Sequence, residues 1–303
     1  MKLPEELNFI ENSRKPQKRT EQRIDGKICI LTGATSGVGY EAAKRLAQGS
    51  AHLVLVNRNA EKAQKAKEEI LNLYPVQVDL FEADFSDLTQ VRQTAKTILA
   101  QYPRIDILIN NAGLHQTKRV LTKDGNELVF TVNHLASFLF TMLLLDRIKE
   151  NAPARIIQVN SQGHRFGGLD LTDLNWAQRR YKGLQGYGAS KVAQLLTVWE
   201  LADQLQSSGV TINAMHPGAV ATNIGMNNGL LYQWYQRYLL FPLLDGPKIS
   251  GEAIYYLAAS PEMENISGKF YNQTIEETPA KHALDRELGK KVWDVSLSIT
   301  GLK

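Results

Sequence analysis

Residues 27–48 read KICILTGATSGVGYEAAKRLAQ, and the rest of the chain is read outward from them. Ile28, Cys29, Ile30 and Leu31 form an apolar run that suits a buried strand. Thr32, Gly33, Gly37 and Gly39 follow in the spacing T-G-x-x-x-G-x-G, with a helical pattern beyond them. Glycine lacks a Cβ, so such a turn can adopt positive φ and bring backbone N–H groups close to a phosphate. A helix starting there aims its unpaired N–H donors and positive dipole end at the same anion. Strand, glycine turn and helix in this order form a dinucleotide-binding unit.

Further strands are predicted at 52–57, 77–82, 105–109, 154–159, 210–215 and, as a short seventh, 268–271. Helices are predicted at 60–74, from Ser86 or Asp87 to Tyr102, at 126–151 and at 187–207. Strands alternating with helices imply a parallel sheet covered on both faces. The expectation is an α/β, doubly wound Rossmann fold with a seven-stranded parallel sheet. A single domain would span 27–303, behind a polar basic arm at 1–26. Ligands in such sheets bind at the carboxyl ends of the strands. Those ends carry Gly33, Asn57, Asp84, Asn110, Ser161 and His216-Pro217-Gly218.

The totals agree with one large α/β domain: 303 residues, 43% hydrophobic and 22% charged. The single cysteine, Cys29, excludes an internal disulfide and points to a reducing compartment. A net charge of +4 does not indicate nucleic acid. The basic run at 14–23, RKPQKRTEQR, reads as a solvated, partly disordered arm, with contact to anionic lipid or a partner as the competing reading. The N-terminus lacks the apolar core of a signal peptide. No run reaches the ~18 uninterrupted apolar residues of a spanning helix. A soluble, cytoplasmic protein is expected. No His, Cys and carboxylate cluster has metal-ligand spacing, so no metal is expected.

The second strand ends in Asn57-Arg58. An acidic residue there would hold ribose hydroxyls, whereas a nearby arginine accepts a 2′-phosphate. NADP is therefore favoured over NAD. Asp84, followed by Phe85, would lie beside the adenine. Tyr187 and Lys191 form Y-x-x-x-K, which shares one helix face. An ammonium near a phenol favours the phenolate and makes tyrosine usable as an acid or base. Tyr40 and Lys44 match the same pattern beside the glycine turn, where helix packing is the expected role. Position separates the two pairs: Tyr187 follows the loop that contains Ser161.

Together these residues resemble the short-chain dehydrogenase/reductase family. Residues 32–39, TGATSGVG, match its cofactor turn and add Thr35, Ser36 and Val38 to the expected cofactor contacts. Asn110-Asn111-Ala112-Gly113 matches its NNAG element. Ser161, Tyr187 and Lys191 match its catalytic Ser and Y-x-x-x-K, and Asn133 its catalytic Asn. Pro217-Gly218-Ala219-Val220-Ala221-Thr222 matches the P-G-x-V-x-T that borders the nicotinamide. Within the family the chain resembles the retinol-dehydrogenase-like branch, through Asn133-His134-Leu135, His164 and the tail at 291–302. It departs from that branch at Asn160, where a second Ser is frequent, and at Gly163, where Ala is frequent. The N-terminal membrane-anchoring helix of many vertebrate members is also missing.

The resemblance implies roles. Tyr187 would be the acid/base, Lys191 would depress its pKa and bind the nicotinamide ribose, and Ser161 would hold the substrate oxygen. Asn133 would place a water between Lys191 and solvent. The segment at 222–249, rich in Leu, Tyr, Phe and Trp, would form a lid over a hydrophobic carbonyl or alcohol, with shallow membrane contact as another use. The long helices would carry a homo-oligomer. The implied activity is an NADP-dependent ketone or aldehyde reductase. Competing readings are an alcohol or steroid dehydrogenase working oxidatively, and a non-catalytic NADP-binding sensor.

Overall fold

Strand β1 (Ile28–Thr32) lies at the centre of the sheet, paired in parallel with β2 (His52–Asn57) on one side and β4 (Ile107–Asn110) on the other. The computed structural model describes residue 12, residues 15–218 and residues 246–303. Val220, Thr222 and nearly all of the expected lid lie outside the described residues, as does Arg14. With β3 (Val78–Glu82), β5 (Ala154–Val159), β6 (Val210–His216), β7 (Phe270–Asn272) and β8 (Ile275–Glu276), the strand order is β3-β2-β1-β4-β5-β6-β7-β8. The order reverses direction about β1, as a doubly wound sheet requires.

The sheet has eight strands rather than seven. Strands β1 to β7 are parallel, and β8 returns antiparallel to β7. The turn between them is Gln273-Thr274, with Gln273 at φ 55. A two-residue strand is too short to show periodicity, so it escaped the sequence reading.

Strand residues alternate between two cores. Ile30, Val54 and Val56 face α3 (Leu88–Gln101), α4 (Ala136–Glu150) and α5 (Gly183–Gln204). Cys29, Leu31, Leu53 and Leu55 face α1 (Gly37–Gln48), α2 (Ala60–Leu73) and α6 (Lys248–Ala259). Asn59 caps α2 by accepting from the Lys62 N–H, and Asp87 caps α3 by accepting from that of Thr89. Cys29 is fully buried and behaves as a small hydrophobe.

The helix expected to run unbroken over 126–151 is interrupted. One α-turn (Leu128–Phe130) passes into a π-helical turn (Thr131–Leu135) before α4 begins. The buried Glu127 carboxylate starts it, accepting from the N–H groups of Val129 and Phe130 at 3.0 and 2.7 Å. The stretch Leu128–Glu150 is long and apolar enough to cross a membrane by composition, but it is mostly buried inside the fold. Helix α5 begins at Gly183, earlier than expected, so Tyr187 sits within its second turn.

Helix α7 (Arg286–Ile299) covers α5 and the start of α4. Trp293 meets Phe138 edge-on at 5.1 Å, and Ser296 Oγ lies 2.7 Å from His134 Nε2. The arm is also less free than its charge suggested. Lys18 N–H donates to Thr274 Oγ1 at 2.8 Å, and the Thr20 carbonyl accepts from the Arg45 guanidinium at 2.8 Å. Asn12 donates to the buried Glu277 carboxylate at 3.1 Å. Backbone groups of the arm are thus satisfied by the domain, which holds the described part against it.

Candidate active site

The glycine turn joins β1 to α1. Gly33 and Gly37 have φ of 73 and 56, which a side chain rarely tolerates. A Cβ on Gly39 would stand 2.1 Å from the Gly33 carbonyl oxygen, so the turn closes only around glycine. Asn111 braces it from β4: Nδ2 donates to the carbonyls of Thr32 and Gly33, each at 2.9 Å. Thr32 Oγ1 in turn accepts from the N–H groups of Asn111 and Ala112 at 3.0 and 2.9 Å. Ser36 precedes α1 without a side-chain capping bond, and both it and Thr35 reach the surface. Val38 points into the core.

Around this turn lie the other strand ends. Asn57 is buried; its Oδ1 accepts from the Ala34 N–H at 2.6 Å, and its Nδ2 has no hydrogen-bond partner among the described residues. Arg58 beside it is exposed. Asp84 Oδ1 accepts from the Ser86 N–H and hydroxyl at 2.8 and 2.7 Å, an Asx turn at the strand end. Phe85 turns its ring into the core against Phe140, which leaves only its backbone to face a ligand. Asn110 Nδ2 is tied to Thr141 Oγ1 at 2.7 Å. Gly113 passes so close to Asn133 that a Cβ would stand 3.2 Å from Asn133 Oδ1.

The acid–base residues converge from three elements. Ser161 ends β5 and caps the 3-10 turn Gln162–Phe166, accepting from the Gly163 N–H at 3.0 Å. Its hydroxyl lies near the Tyr187 phenol from α5 and favours that phenol's ionised form. The Tyr187 ring lies on Gly163, where a Cβ would meet its Cε1 at 2.5 Å. His115 meets the other side of the ring edge-on, with centroids 5.7 Å apart. Lys191, one helical turn on, places Nζ 5.6 Å from the Tyr187 ring centroid. That Nζ donates to the Val159 carbonyl at 3.1 Å and to Gln194 Oε1 at 3.0 Å. Asn133, in the π-helical turn, accepts from the Leu114 N–H at 2.8 Å and donates to Ser190 Oγ at 2.9 Å. π-helical turns are frequent at functional sites because they rotate a side chain out of register.

Residues 27–230 match the family profile described as short chain dehydrogenase. The chain belongs to the short-chain dehydrogenase family. It is similar to retinol dehydrogenase 13 of Mus musculus, 36% identical over 301 residues, 97% of this chain and 89% of that one. It is also 35% identical to the chloroplastic short-chain dehydrogenase TIC 32 A of Brassica napus, over 91% of this chain and 90% of that one. A solved structure of an uncharacterized protein from Mycobacterium Paratuberculosis superposes with a TM-score of 0.74 at 28% identity, covering 92% of this chain and 95% of that one.

As a short-chain dehydrogenase the chain is an oxidoreductase of CH–OH groups, retinol-dehydrogenase-like in sequence. The glycine turn fits the dinucleotide that such chemistry needs. A cradle closed by Gly39 and an inward Asn57 N–H without a partner are suited to phosphate and ribose oxygens. When bound, a nicotinamide dinucleotide supplies or accepts the hydride.

Burial dominates the electrostatics of the Tyr187 and Lys191 pair. Burial pushes the Tyr187 phenol up to about 12, with the nearby Ser161 hydroxyl pulling the other way. Burial also pulls the Lys191 ammonium down, to about 7. Its charge depends on the oxygens that surround it.

The described residues hold no cluster of His, Cys, Asp and Glu fit for a metal ion. Tyr40 and Lys44 take ordinary surface roles: Lys44 lies 4.7 Å over the Tyr40 ring and pairs with Glu41 at 2.9 Å. Pro217 is held through its carbonyl by Ser250 Oγ at 2.6 Å. Gly218, at φ 98, lies where a Cβ would stand 2.5 Å from Gln273 Nε2. Asn111 and His164, named from the sequence only as family matches, brace the glycine turn and support Ser161. Gln194, which holds Lys191, was not named from the sequence. For Gln194 the available signal was its i+3 spacing from Lys191 on one helix face.

Proposed function

We propose that the protein is an NADP-dependent reductase of hydrophobic ketones or aldehydes. The observation that carries the cofactor choice is the pair at the end of β2. Asn57 puts no negative charge there, and the exposed Arg58 guanidinium has no hydrogen bond or ion pair among the described residues. A planar, permanently charged fork suits a 2′-phosphate. A carboxylate at that place would instead repel it.

For a bound carbonyl, Tyr187 donates its phenolic proton to the oxygen that gains charge. Ser161 Oγ holds the same oxygen as that charge develops. The Lys191 ammonium stabilises the phenolate left on Tyr187, and Asn133 fixes the loop that follows β4.

The apolar composition of residues 222–249 supports a hydrophobic substrate, as do relatives named retinol dehydrogenase. The test is a panel of carbonyl compounds, retinal, steroid ketones and aromatic aldehydes set against small polar ketones, each with NADPH and with NADH. Turnover of the apolar members with NADPH is the expected result. Selectivity for NADH, or for small polar carbonyls, overturns the reading.

A further inference from the structure

We propose that Gln194 is a positioning residue that holds the Lys191 ammonium in register with Asn133 and the Ser161 loop. The inference rests on the assignment of Tyr187 and Lys191 to the acid–base step.

Gln194 lies one turn beyond Lys191 on α5 and is 2% exposed. Both ends of its carboxamide are engaged. Oε1 accepts from Lys191 Nζ at 3.0 Å and from Asn160 Nδ2 at 3.1 Å. Nε2 donates to the main-chain carbonyl of Asn133. Asn160 passes the contact on, because its Oδ1 accepts from the Ser161 N–H at 2.8 Å and its Nδ2 also donates to the Lys191 carbonyl at 3.0 Å. One amide thus links the end of β5, the π-helical turn and α5: it touches Lys191, the Asn133 carbonyl and Asn160, the chain neighbour of Ser161. Asn160 stands where a second serine is frequent in the branch the chain resembles. The shorter serine hydroxyl would not span from Ser161 to Gln194, so the two residues form one device.

The chemistry explains why an amide is needed. A lysine ammonium has three donors. Two are taken by the oxygens of Val159 and Gln194, which leaves one to point toward the cofactor side. An oxygen acceptor favours the charged form of a buried lysine, and its loss favours the neutral amine. An apolar side chain of the same volume would take one partner from each of three buried polar groups, leaving Lys191 Nζ with the Val159 carbonyl, Asn160 Nδ2 with the Lys191 carbonyl and the Asn133 carbonyl with Ser137 Oγ. The titratable groups facing Lys191 are Tyr187 on the same helix and His216 at the end of β6, with His164, Glu277 and Arg165 behind His216. His115 lies beyond the Tyr187 ring. Burial holds Tyr187 and His216 neutral near pH 7, so neither supplies the charge that Gln194 would otherwise only supplement.

The experiment is a carbon NMR titration of protein labelled at lysine Cε, with Lys191 identified by the resonance lost in Lys191→Met. In Gln194→Met the Lys191 midpoint moves down by roughly one pH unit, since one hydrogen bond to a charged group is removed. In Gln194→Glu it moves up, because a carboxylate replaces the amide oxygen. Midpoints unchanged in both variants, or moved in the same direction, overturn the proposal. If Gln194→Met does not fold, Gln194→Glu alone decides by the upward shift. NADPH turnover of the best carbonyl substrate is measured alongside, with Tyr187→Phe as reference. Full turnover in Tyr187→Phe defeats the acid–base assignment and leaves the Lys191 titration to judge Gln194 separately. A dead Tyr187→Phe with a Gln194→Met that keeps wild-type turnover and pH profile defeats the Gln194 proposal alone.

Discussion

His164 Nδ1 lies 2.7 Å from the carbonyl oxygen of Ser161, the residue whose hydroxyl meets the Tyr187 phenol. The Ala280 N–H donates to the other ring nitrogen at 3.2 Å, so the neutral imidazole carries its proton on Nδ1 and donates to Ser161. A single tautomer therefore joins the catalytic loop to the segment after β8. Protonating Nε2 would set two N–H groups against each other.

Acid should loosen the site for that reason. Burial pulls His164 and His216 down to about 4 and His134 down to about 3. Their ordinary value is 6.5. The unfolded chain therefore takes up protons that the folded chain refuses as pH falls from the ordinary value, and stability drops with it. Together the three account for on the order of several kcal/mol. Denaturant midpoints should fall as pH drops from about 6.5 to about 4, and His164→Gln should flatten part of that slope.

Gly163 is expected to control the angle of the Tyr187 ring. Gly163→Ala would place a methyl 2.5 Å from ring carbon Cε1, so the ring must tilt away from Ser161. A displaced donor costs on the order of 10-fold to 100-fold in kcat. The KM for NADPH should stay unchanged, because the glycine turn is remote. Tyr187→Phe, which removes the phenol outright, should lose 100-fold or more, on the order of 10²–10⁴, while still binding cofactor. Steady-state kinetics and cofactor fluorescence titration check both.

Arg58→Ala should weaken NADPH binding by roughly 10-fold to 100-fold, the range for one charge-assisted hydrogen bond. NADH lacks the 2′-phosphate, so its affinity should change little. Titration of each cofactor against wild type and variant gives the ratio. Equal losses for both would remove the basis for the NADP choice.

Helix α7 should keep the protein from pairing through α4 and α5. The face that would carry such a dimer is already covered by Trp293 against Phe138 and by the Trp199 indole N–H on the Ala283 carbonyl at 2.8 Å. Light scattering should show no dimer that depends on this face. Trp293→Ala should lower the melting midpoint, costing on the order of 2–3 kcal/mol because the ring is only partly buried. It should also make self-association measurable.

The sequence by itself determined the features that repeat locally. Apolar strand runs, the glycine turn over 32–39 and Tyr187 one turn from Lys191 are set by periods of two and 3.6 residues, so they can be read from spacing. They were enough for the doubly wound sheet, whereas Ser161, Tyr187 and Lys191 as a set came from the family resemblance. Tertiary structure decided what depends on contacts between distant segments. Gln194 meets Asn133 across 61 positions, and His164 meets Ala280 across 116. No period links such residues. Only the parallel sheet, by bringing the ends of β4, β5 and β6 to one edge, puts them in reach. The same holds for Gly163: its departure from the branch's frequent alanine is visible in the sequence, but the Tyr187 ring lying on it is not.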